Sequence, residues 1–320
     1  MKRTLTAFAL GVTASLTWAN SPDYPTRPIK LVVGFSAGGT SDLIARVVGE
    51  SLQKRLGQPV VIENRPGGGG TPATRAVSQS PADGYTLIIG SGASFVINPH
   101  LTKVGYNPLQ DFTPIAPLVK LNYVVLTRAG AQITDLKALI SKAKREPNTL
   151  MYGSPGVGSS AHVATASFAI KSEIQLRHVP YKGAADALRD LSGGHIDLLF
   201  EAIPTGAASI ATKRVIPLAT TGLQRASQMP DVPTIQELGV PGYEAGNWFA
   251  VFAPAGVKPE IAATLNREIN AVLKEPEIVK RLTDAGSIVL GGTSNDLSKL
   301  VSSEFGANKE LINTLQIKLE

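Results

Sequence analysis

Short apolar segments alternate along the chain with segments in which apolar residues recur at helical spacing. Residues 29–35 form the first mostly apolar run, and residues 42–56 follow with apolar residues at helical spacing until Gly57, which predicts the end of a helix. Strands that are apolar on both faces and are joined by helices indicate a parallel sheet covered on two sides. The pattern therefore predicts an α/β fold.

The same alternation continues to the end of the chain and gives two halves and a C-terminal section. The second half begins after a proline-rich passage, residues 107–117. The predicted strands are residues 29–35, 60–63, 86–90, 122–127, 150–154, 174–181, 196–203, 215–221, 248–253 and 287–290. The predicted helices are residues 42–56, 72–79, 135–144, 159–170, 184–191, 205–213, 259–274, 277–285 and 295–315.

Two α/β halves with a C-terminal section that returns to the first half are typical of a bilobed binding protein. In such folds the ligand lies at the carboxyl ends of the strands, where helix N-termini point into the crevice. We expect one lobe of residues 20–120, completed by residues 225–320, and a second lobe of residues 121–224. Each lobe is expected to be doubly wound, with the ligand cleft between the two.

The N-terminal segment has the pattern of a bacterial secretory signal peptide. Lys2 and Arg3 precede an uncharged run over residues 5–16, and Thr17-Trp18-Ala19 places small residues at the positions that a signal peptidase requires. The run is shorter than the about 20 apolar residues of a membrane-spanning helix. We therefore expect residues 1–19 to be removed and the mature chain to be periplasmic, without a membrane anchor.

The composition of the chain excludes several kinds of catalytic and metal site. The chain has 320 residues, 43% of them hydrophobic, which fits two domains of about 150 residues each. It has no cysteine, which excludes a thiol nucleophile, an iron–sulfur site and a disulfide scaffold. Its four histidines form no HxH or HExxH motif, so neither a metal nor another cofactor is expected.

The charge balance points to small anionic ligands and away from nucleic acid. The chain carries 31 basic and 25 acidic residues, a net charge of +6, and a mildly basic protein favours anions. The basic residues are scattered, without the aromatic interleaving or the basic stripe of a nucleic-acid-binding surface.

The first candidate site is the loop between the first strand and the first helix. It contributes Ser36, Ala37, Gly38, Gly39, Thr40 and Asp42. Small residues and free N–H groups at a helix N-terminus favour an anion. The loop also matches the esterase motif G-x-S-x-G, with Ser36 as nucleophile, but that motif normally follows several earlier strands. We favour the anion site and keep a secreted hydrolase as an alternative.

The second candidate site opens the helix of residues 159–170. It contributes Ser154, Gly158, Ser159, Ser160 and His162, whose hydroxyl and N–H groups suit a carboxylate. Gly156-x-Gly158-x-x-Ala161 also fits a dinucleotide fingerprint, but the next predicted strand does not end in a ribose-binding acid. A histidine at such a position is more often structural than catalytic.

The third candidate site is Tyr181-Lys182-Gly183, at a strand end. Tyr181 offers a hydroxyl and an aromatic wall, and Lys182 a cation. By contrast, the glycine-rich segment of residues 65–70 lacks the Gly-Lys-Ser/Thr of a phosphate loop, and it is predicted to be a surface turn.

A series of motifs in order along the chain resembles one family. They are Tyr24-Pro25-x-Arg27-Pro28-Ile29, Gly38-Gly39-x-x-Asp42, Gly57-Gln58-Pro59-Val60-Val61-Ile62-Glu63-Asn64-Arg65-Pro66-Gly67, Asp83-Gly84-Tyr85-Thr86-Leu87, Ile97-Asn98-Pro99, Val179-Pro180-Tyr181-Lys182-Gly183, Met229-Pro230-Asp231-Val232-Pro233-Thr234 and Ala253-Pro254-Ala255-Gly256. The series resembles the Bug family, the TctC-like periplasmic solute-binding proteins of tripartite tricarboxylate transporters.

The resemblance implies a two-lobed Venus-flytrap fold of type II that binds a small carboxylate. The first two loops would hold the carboxylate from opposite lobes, with the third loop beside them. It also implies a monomer without catalytic activity that delivers an organic acid to the membrane components of a transporter. The alternative with the same site residues is a sensor or adaptor that signals to a membrane receptor.

Two departures from the family pattern bear on the ligand. Relatives often have Thr-His-Ala-Ile-Asn-Pro at residues 94–99 and Phe-Asp at residues 200–201, where this chain has Phe95 and Glu201. Together with Ser91, which follows a predicted strand, these residues are candidate ligand contacts. An aromatic face at Phe95 would favour an aromatic acid, and a carboxylate at Glu201 would repel a second ligand carboxylate. We therefore expect a monocarboxylate or an aromatic acid to bind more tightly than citrate.

Overall fold

The computed structural model describes residues 24–181 and 183–315. The predicted signal peptide, residues 1–19, and Lys182 of the third loop lie outside the described residues. The strands are β1 (Ile29–Val33), β2 (Val60–Asn64), β3 (Thr86–Ser91), β4 (Phe112–Arg128), β5 (Met151–Ser154), β6 (Arg177–Pro180), β7 (Leu198–Ala202), β8 (Val215–Thr220), β9 (Gly246–Pro254) and β10 (Ser287–Val289). The helices are α1 (Thr40–Leu56), α2 (Thr71–Ser78), α3 (Asn98–Leu101), α4 (Leu136–Arg145), α5 (Ser160–Lys171), α6 (Ala184–Gly193), α7 (Ile203–Ala211), α8 (Pro259–Val272), α9 (Pro276–Asp284) and α10 (Ser294–Leu315).

The strands are parallel within each half and antiparallel where the halves join. β1 pairs with β2 and β3 in parallel, and β5 pairs in the same sense with β6 and β7. The antiparallel strands β9 and β4 lie between these groups, in the order β2-β1-β3-β9-β4-β7-β5-β6, and β8 and β10 pair with β4 outside this path. The predicted alternation of strands and helices is confirmed.

Strand β4 runs from one half into the other and is longer than predicted. Its residues 112–122 pair with β9 and its residues 123–127 pair with β7. The prediction of a proline-rich link over residues 107–117 is therefore wrong from residue 112 onward. Pro114 and Pro117 lie at the two register shifts of the β4–β9 ladder. A bulge tolerates proline because it does not require the missing N–H group.

Alternate residues of one strand enter different hydrophobic cores. Leu31 of β1 packs with residues of α1 and α8, whereas Val32 packs on the other face of the sheet with Phe252. In β4, Val125 and Val124 divide between two further cores in the same way. Burial of each such side chain contributes about 1.5–3 kcal/mol. Both halves are therefore lobes with a sheet covered on two faces, as the α/β prediction requires.

The second lobe extends beyond its predicted limit at residue 224. Ile235, Val240 and Tyr243 are buried in a core of that lobe, and the Tyr243 hydroxyl donates to the Ala164 carbonyl at 2.8 Å. The chain returns to the first lobe where β9 begins at Gly246. The segment before β9 has few regular elements, so periodicity gives no signal there. The other domain limits stay predictions.

No helix in the described part of the chain combines the length and the apolar character that crossing a membrane requires.

Candidate functional site

A cleft of about 760 Å³ has walls from both lobes. The first lobe contributes Ser36, Thr40, Thr71, Asn98 and Asn247, together with the glycine-rich segment of residues 67–69. The second lobe contributes Tyr123, Gly158, Ser159, Ser160, Gly183, Ala184 and Glu201. The predicted position of a ligand site, at the ends of strands and the starts of helices, corresponds to this cleft.

The N-termini of five helices contribute to the cleft wall. α1 contributes Thr40, α2 contributes Thr71, α5 contributes Ser160, α6 contributes Ala184, and Ala202 precedes α7. The first N–H groups of a helix lack partners within it, and its dipole places partial positive charge there. Among the described residues that line the cleft, Glu201 is the only acidic or basic residue. The attraction for an anion therefore comes from the main chain.

The first predicted loop divides into wall residues and supporting residues. Ser36 and Thr40 line the cleft, whereas Ala37, Gly38 and Gly39 are exposed loop residues beside it. Asp42 is buried behind the loop, where its Oδ2 accepts hydrogen bonds from Gly38 N and from Arg46 Nε, both at 2.9 Å. The Arg46 hydrogen bond, with help from the Gly38 amide, lowers the pKa of Asp42 to about 2. Asp42 thus fixes the loop.

The second predicted loop is held from behind by a histidine. The Ser159 hydroxyl caps α5 by accepting from His162 N at 3.2 Å, and His162 Nδ1 accepts from Gly158 N at 3.1 Å. Gly158 has a φ of +75°. Gly158, Ser159 and Ser160 line the cleft, but His162 is only 5% exposed and lies behind it. His162 therefore supports the loop from behind and is not in the cleft wall, where it was predicted to contact the ligand.

Behind the same loop, three rings are stacked. The ring centroids of His162 and His178 are 3.9 Å apart, and those of His178 and Tyr152 are 4.8 Å apart. Burial lowers the pKa of His178 to about 4. Burial and then repulsion by His178 lower the pKa of His162 to about 3, so both rings are neutral near pH 7. Ser154, predicted as a ligand contact, is fully buried here, with Oγ 2.7 Å from His178 Nε2.

Only part of the third predicted loop lines the cleft. Gly183 is in the wall, together with the following Ala184. The Tyr181 hydroxyl donates to Asp190 Oδ2 at 2.9 Å, outside the wall. Burial and the Asp190 carboxylate raise the pKa of Tyr181 to about 12. Tyr181 therefore anchors the loop to α6.

The glycine-rich segment is exposed, as its prediction as a surface turn requires, but the surface that it forms is part of the cleft wall. Gly67, Gly68 and Gly69 have φ values of 130°, 50° and 61°. A Cβ at Gly69 would lie 2.6 Å from Asn98 Nδ2, which donates to the Gly68 carbonyl at 3.4 Å. Glycine is required here because the backbone is left-handed and Asn98 approaches closely. The sequence feature that could have indicated a place in the cleft wall is the position of these glycines directly before a helix.

The predicted contacts Phe95 and Ser91 belong to the interior of the first lobe. The Phe95 ring is fully buried and stacks on Phe252 with a centroid distance of 4.0 Å. It lies in a helical turn, Ala93–Ile97, that directs the ring into the core. Ser91 is buried and exchanges hydrogen bonds with Ser94. Phe95 therefore does not support the predicted preference for aromatic acids, because its ring does not face the cleft.

Glu201 lies in the wall, at the end of β7, and is only 4% exposed. Its Oε1 accepts from Ala202 N at 2.9 Å, and its Oε2 is buried without a hydrogen-bond partner among the described residues. Burial raises the pKa of Glu201 to about 7, although the Ala202 amide acts in the opposite direction. Ser160 Oγ is likewise buried without a partner there. Sequence patterns missed Tyr123, a buried phenol that also lines the cleft.

Two doubly wound lobes around a cleft lined by helix N-termini define a bilobed solute-binding protein. Residues 44–317 match the model of the tripartite tricarboxylate transporter family receptor, TctC. The chain belongs to this family of periplasmic solute-binding proteins, and the resemblance seen in its motifs is confirmed.

Relatives of known name and structure match nearly the whole chain. Protein BugT of Bordetella pertussis is 35% identical over 88% of this chain and 87% of that protein. The structure of R. palustris Rpa4515 with adipate is 36% identical, covers 92% of this chain and 99% of that one, and has a TM-score of 0.84. MatC from Rhodopseudomonas palustris with bound malate is 31% identical, covers 90% of this chain and 100% of that one, and has a TM-score of 0.80.

Proposed function

We propose that this protein captures a small organic carboxylate in the periplasm and delivers it to the membrane components of a tripartite tricarboxylate transporter. The observation that carries the proposal is the convergence of five helix N-termini on one cleft whose described wall has no cationic side chain. Adipate and malate in the structures of two relatives support a carboxylate as the ligand. The family to which the chain belongs supports the transporter as the partner.

Binding rather than catalysis is the proposed role of the cleft. Ser36 is the residue of the esterase-like motif, and it lies exposed in the wall. Within residues 24–181 and 183–315, no side chain is hydrogen-bonded to its hydroxyl, which supports binding over nucleophilic catalysis. Closure of the lobes around the ligand would then present one conformation to the membrane partner, because the ligand prefers that conformation.

The experiment that tests carboxylate binding is calorimetric titration with succinate, adipate, malate, citrate and benzoate, with the corresponding diamide of adipate as a neutral control. Binding of at least one acid and none of the diamide is expected.

A second arm compares Ala184→Asp with Ala185→Asp. Both residues lie in the first turn of α6, but only Ala184 lines the cleft, and Ala185 is exposed.

A carboxylate at position 184 adds negative charge to the wall, whereas at position 185 it only complements the helix dipole. We expect Ala184→Asp to weaken binding at least tenfold and Ala185→Asp to leave the Kd within about threefold. Equal effects of the two variants, or failure of every acid to bind, would overturn the proposal. Retention of membrane transporter components by the ligand-loaded protein, but not by the ligand-free protein, tests the delivery step.

A further inference from the structure

Two buried polar atoms in the cleft wall lack partners within the described residues. They are Glu201 Oε2 and Ser160 Oγ. Glu201 is 4% exposed and Ser160 8% exposed, and both residues line the cleft. A buried polar group without a hydrogen bond is costly, so such groups in a binding site are suited to a ligand atom. A carboxyl group among helix N-termini that attract carboxylates also needs an explanation, because two ionised carboxylates in contact repel each other.

We infer that Glu201 binds the ligand as a neutral carboxylic acid, donating its O–H to a ligand carboxylate, so that binding of a dianion near pH 8 takes up one proton from solvent. This inference rests on the proposed function. The proton adds to Glu201 Oε2, no other bond forms or breaks, and the hydrogen bond joins that O–H to a ligand oxygen. Ser160 and Tyr123 supply further hydroxyl groups to the same cleft wall.

The surroundings of Glu201 favour its neutral form. Burial raises the pKa of this carboxyl to about 7, and the Ala202 amide offsets only part of that effect. The ionisable residues on the elements that pack against β7 are Lys120, Tyr123 and Arg128 of β4, Tyr152 of β5, His162 and Lys171 of α5, and Asp186, Arg189 and Asp190 of α6. α7 has none. Lys182, beside Gly183, lies outside the described residues.

Two of these neighbours, His162 and Tyr123, titrate outside the range of pH 6 to 9, and four others have partners of their own. Burial holds the pKa of His162 near 3 and raises that of Tyr123, so neither changes charge between pH 6 and 9. Lys120 pairs with Glu244, Asp186 pairs with Arg189, and Asp190 accepts from the Tyr181 hydroxyl. Between pH 6 and 9, Glu201 is the residue of the described cleft wall that we expect to gain or lose a proton. Ligand affinity should therefore be nearly constant below pH 7 and fall above it, by about fivefold from pH 7 to pH 8 and by about tenfold for the next pH unit.

The experiment is calorimetry of adipate, malate and succinate between pH 6 and 9, in two buffers of different ionisation enthalpy at each pH. The carboxyl groups of these acids have ordinary pKa values and stay ionised over most of this range. Wild-type protein is expected to take up close to one proton per ligand at pH 8, with a Kd about fivefold weaker than at pH 7. The Glu201→Gln variant, which mimics the neutral acid, is expected to take up none and to bind with a pH-independent Kd.

Glu304→Gln is the matched control. Glu304 is a half-buried carboxyl whose pKa is also raised by burial, but it accepts from Trp248 Nε1 at 2.7 Å in the first lobe and does not line the cleft. This variant should keep the wild-type pH dependence. Wild-type binding without proton uptake at pH 8, or the same pH dependence in Glu201→Gln, would overturn the inference while leaving carboxylate binding intact. Failure of all three acids to bind would instead overturn the proposed function, and the inference with it.

The wild-type measurement alone decides the inference if Glu201→Gln does not fold. A second probe distinguishes an ionised Glu201 from a neutral one. An ionised Glu201 would pair with the ammonium group of glutamate, which would then bind without proton uptake and more tightly than the dicarboxylates. That result would overturn the inference.

Discussion

Replacing Gly158 by alanine is expected to weaken ligand binding through a contact between the two lobes. Gly158 has a φ of +75°, and a Cβ there would lie 2.6 Å from Leu101 Cδ1 and 3.2 Å from Asn98 Oδ1. Leu101 and Asn98 belong to the first lobe, whereas Gly158 belongs to the second. The added methyl group therefore requires the Leu101 side chain or the second loop to shift at the contact between the two cleft walls.

The expected effect of Gly158→Ala has two parts, a backbone cost in folding free energy and a loss of binding affinity. A variant at a second glycine measures the backbone cost alone. An alanine in the left-handed region costs about 1–2 kcal/mol of folding free energy. Gly130 has the same φ of +75°, is exposed, and has no heavy atom within 4 Å of its Cβ position. Gly130→Ala therefore carries the backbone cost alone. Displacement of the loop in Gly158→Ala adds a binding loss that we expect to reach about 1.4 kcal/mol, a tenfold weaker Kd.

The assay is urea unfolding of both variants together with calorimetric titration of the acid that binds wild-type protein best. Both variants should lose about 1–2 kcal/mol of unfolding free energy. Only Gly158→Ala should lose affinity, whereas Gly130→Ala should stay within about twofold of wild type. Equal affinities of the two variants would refute the contact between lobes as a determinant of binding.

Three further predictions concern the loops. Ser159→Ala and Asp135→Ala each remove a helix N-cap and should each lower the unfolding free energy by about 1 kcal/mol, but only Ser159→Ala should weaken binding; a loss of affinity in Asp135→Ala would contradict this. Because burial lowers the pKa of His178 from 6.5 to about 4, its neutral ring stabilises the fold above pH 6.5 and this contribution disappears as the pH falls toward 4. The stability difference between wild type and His178→Gln, from urea unfolding, should shrink over that range and not stay constant. Ser36 should not react with a fluorophosphonate, and stoichiometric labelling detected by mass spectrometry would restore the hydrolase alternative.

The sequence pattern predicts elements well where apolar runs and helical spacing alternate without interruption. β1 with α1 and β5 with α5 are examples, because each strand is buried on two faces and each helix buries apolar residues. The pattern fails at the start of β4, where Pro114 and Pro117 suggest a link. Pairing with β9 through two bulges overrides that local signal, and a sequence pattern does not contain the partner strand.

The candidate site could be predicted at the level of loops but not of side-chain direction. Gly158, Ser159 and Gly183 are found in the wall because a loop between a strand and a helix N-terminus faces the crevice in this fold. Phe95 also follows a strand, yet the chain turns at once into a helical turn and its ring enters the core. The direction of that ring depends on Phe252, a residue far along the chain, so local sequence does not determine it.

The division between main-chain attraction and side-chain selection explains how one fold can serve different acids. Helix N-termini attract any small anion, because their N–H groups and dipoles are common to all side-chain sequences. Discrimination then falls to the few polar side chains in the wall, such as Asn98, Asn247, Tyr123 and Glu201. Asn98 also holds the glycine-rich segment, so changing it would alter the shape of the wall as well as its chemistry. Glu201 has no such supporting contact at Oε2. A change at Glu201 should therefore alter the pH dependence of binding and the selectivity among ligands. The attraction of the cleft for an anion should remain.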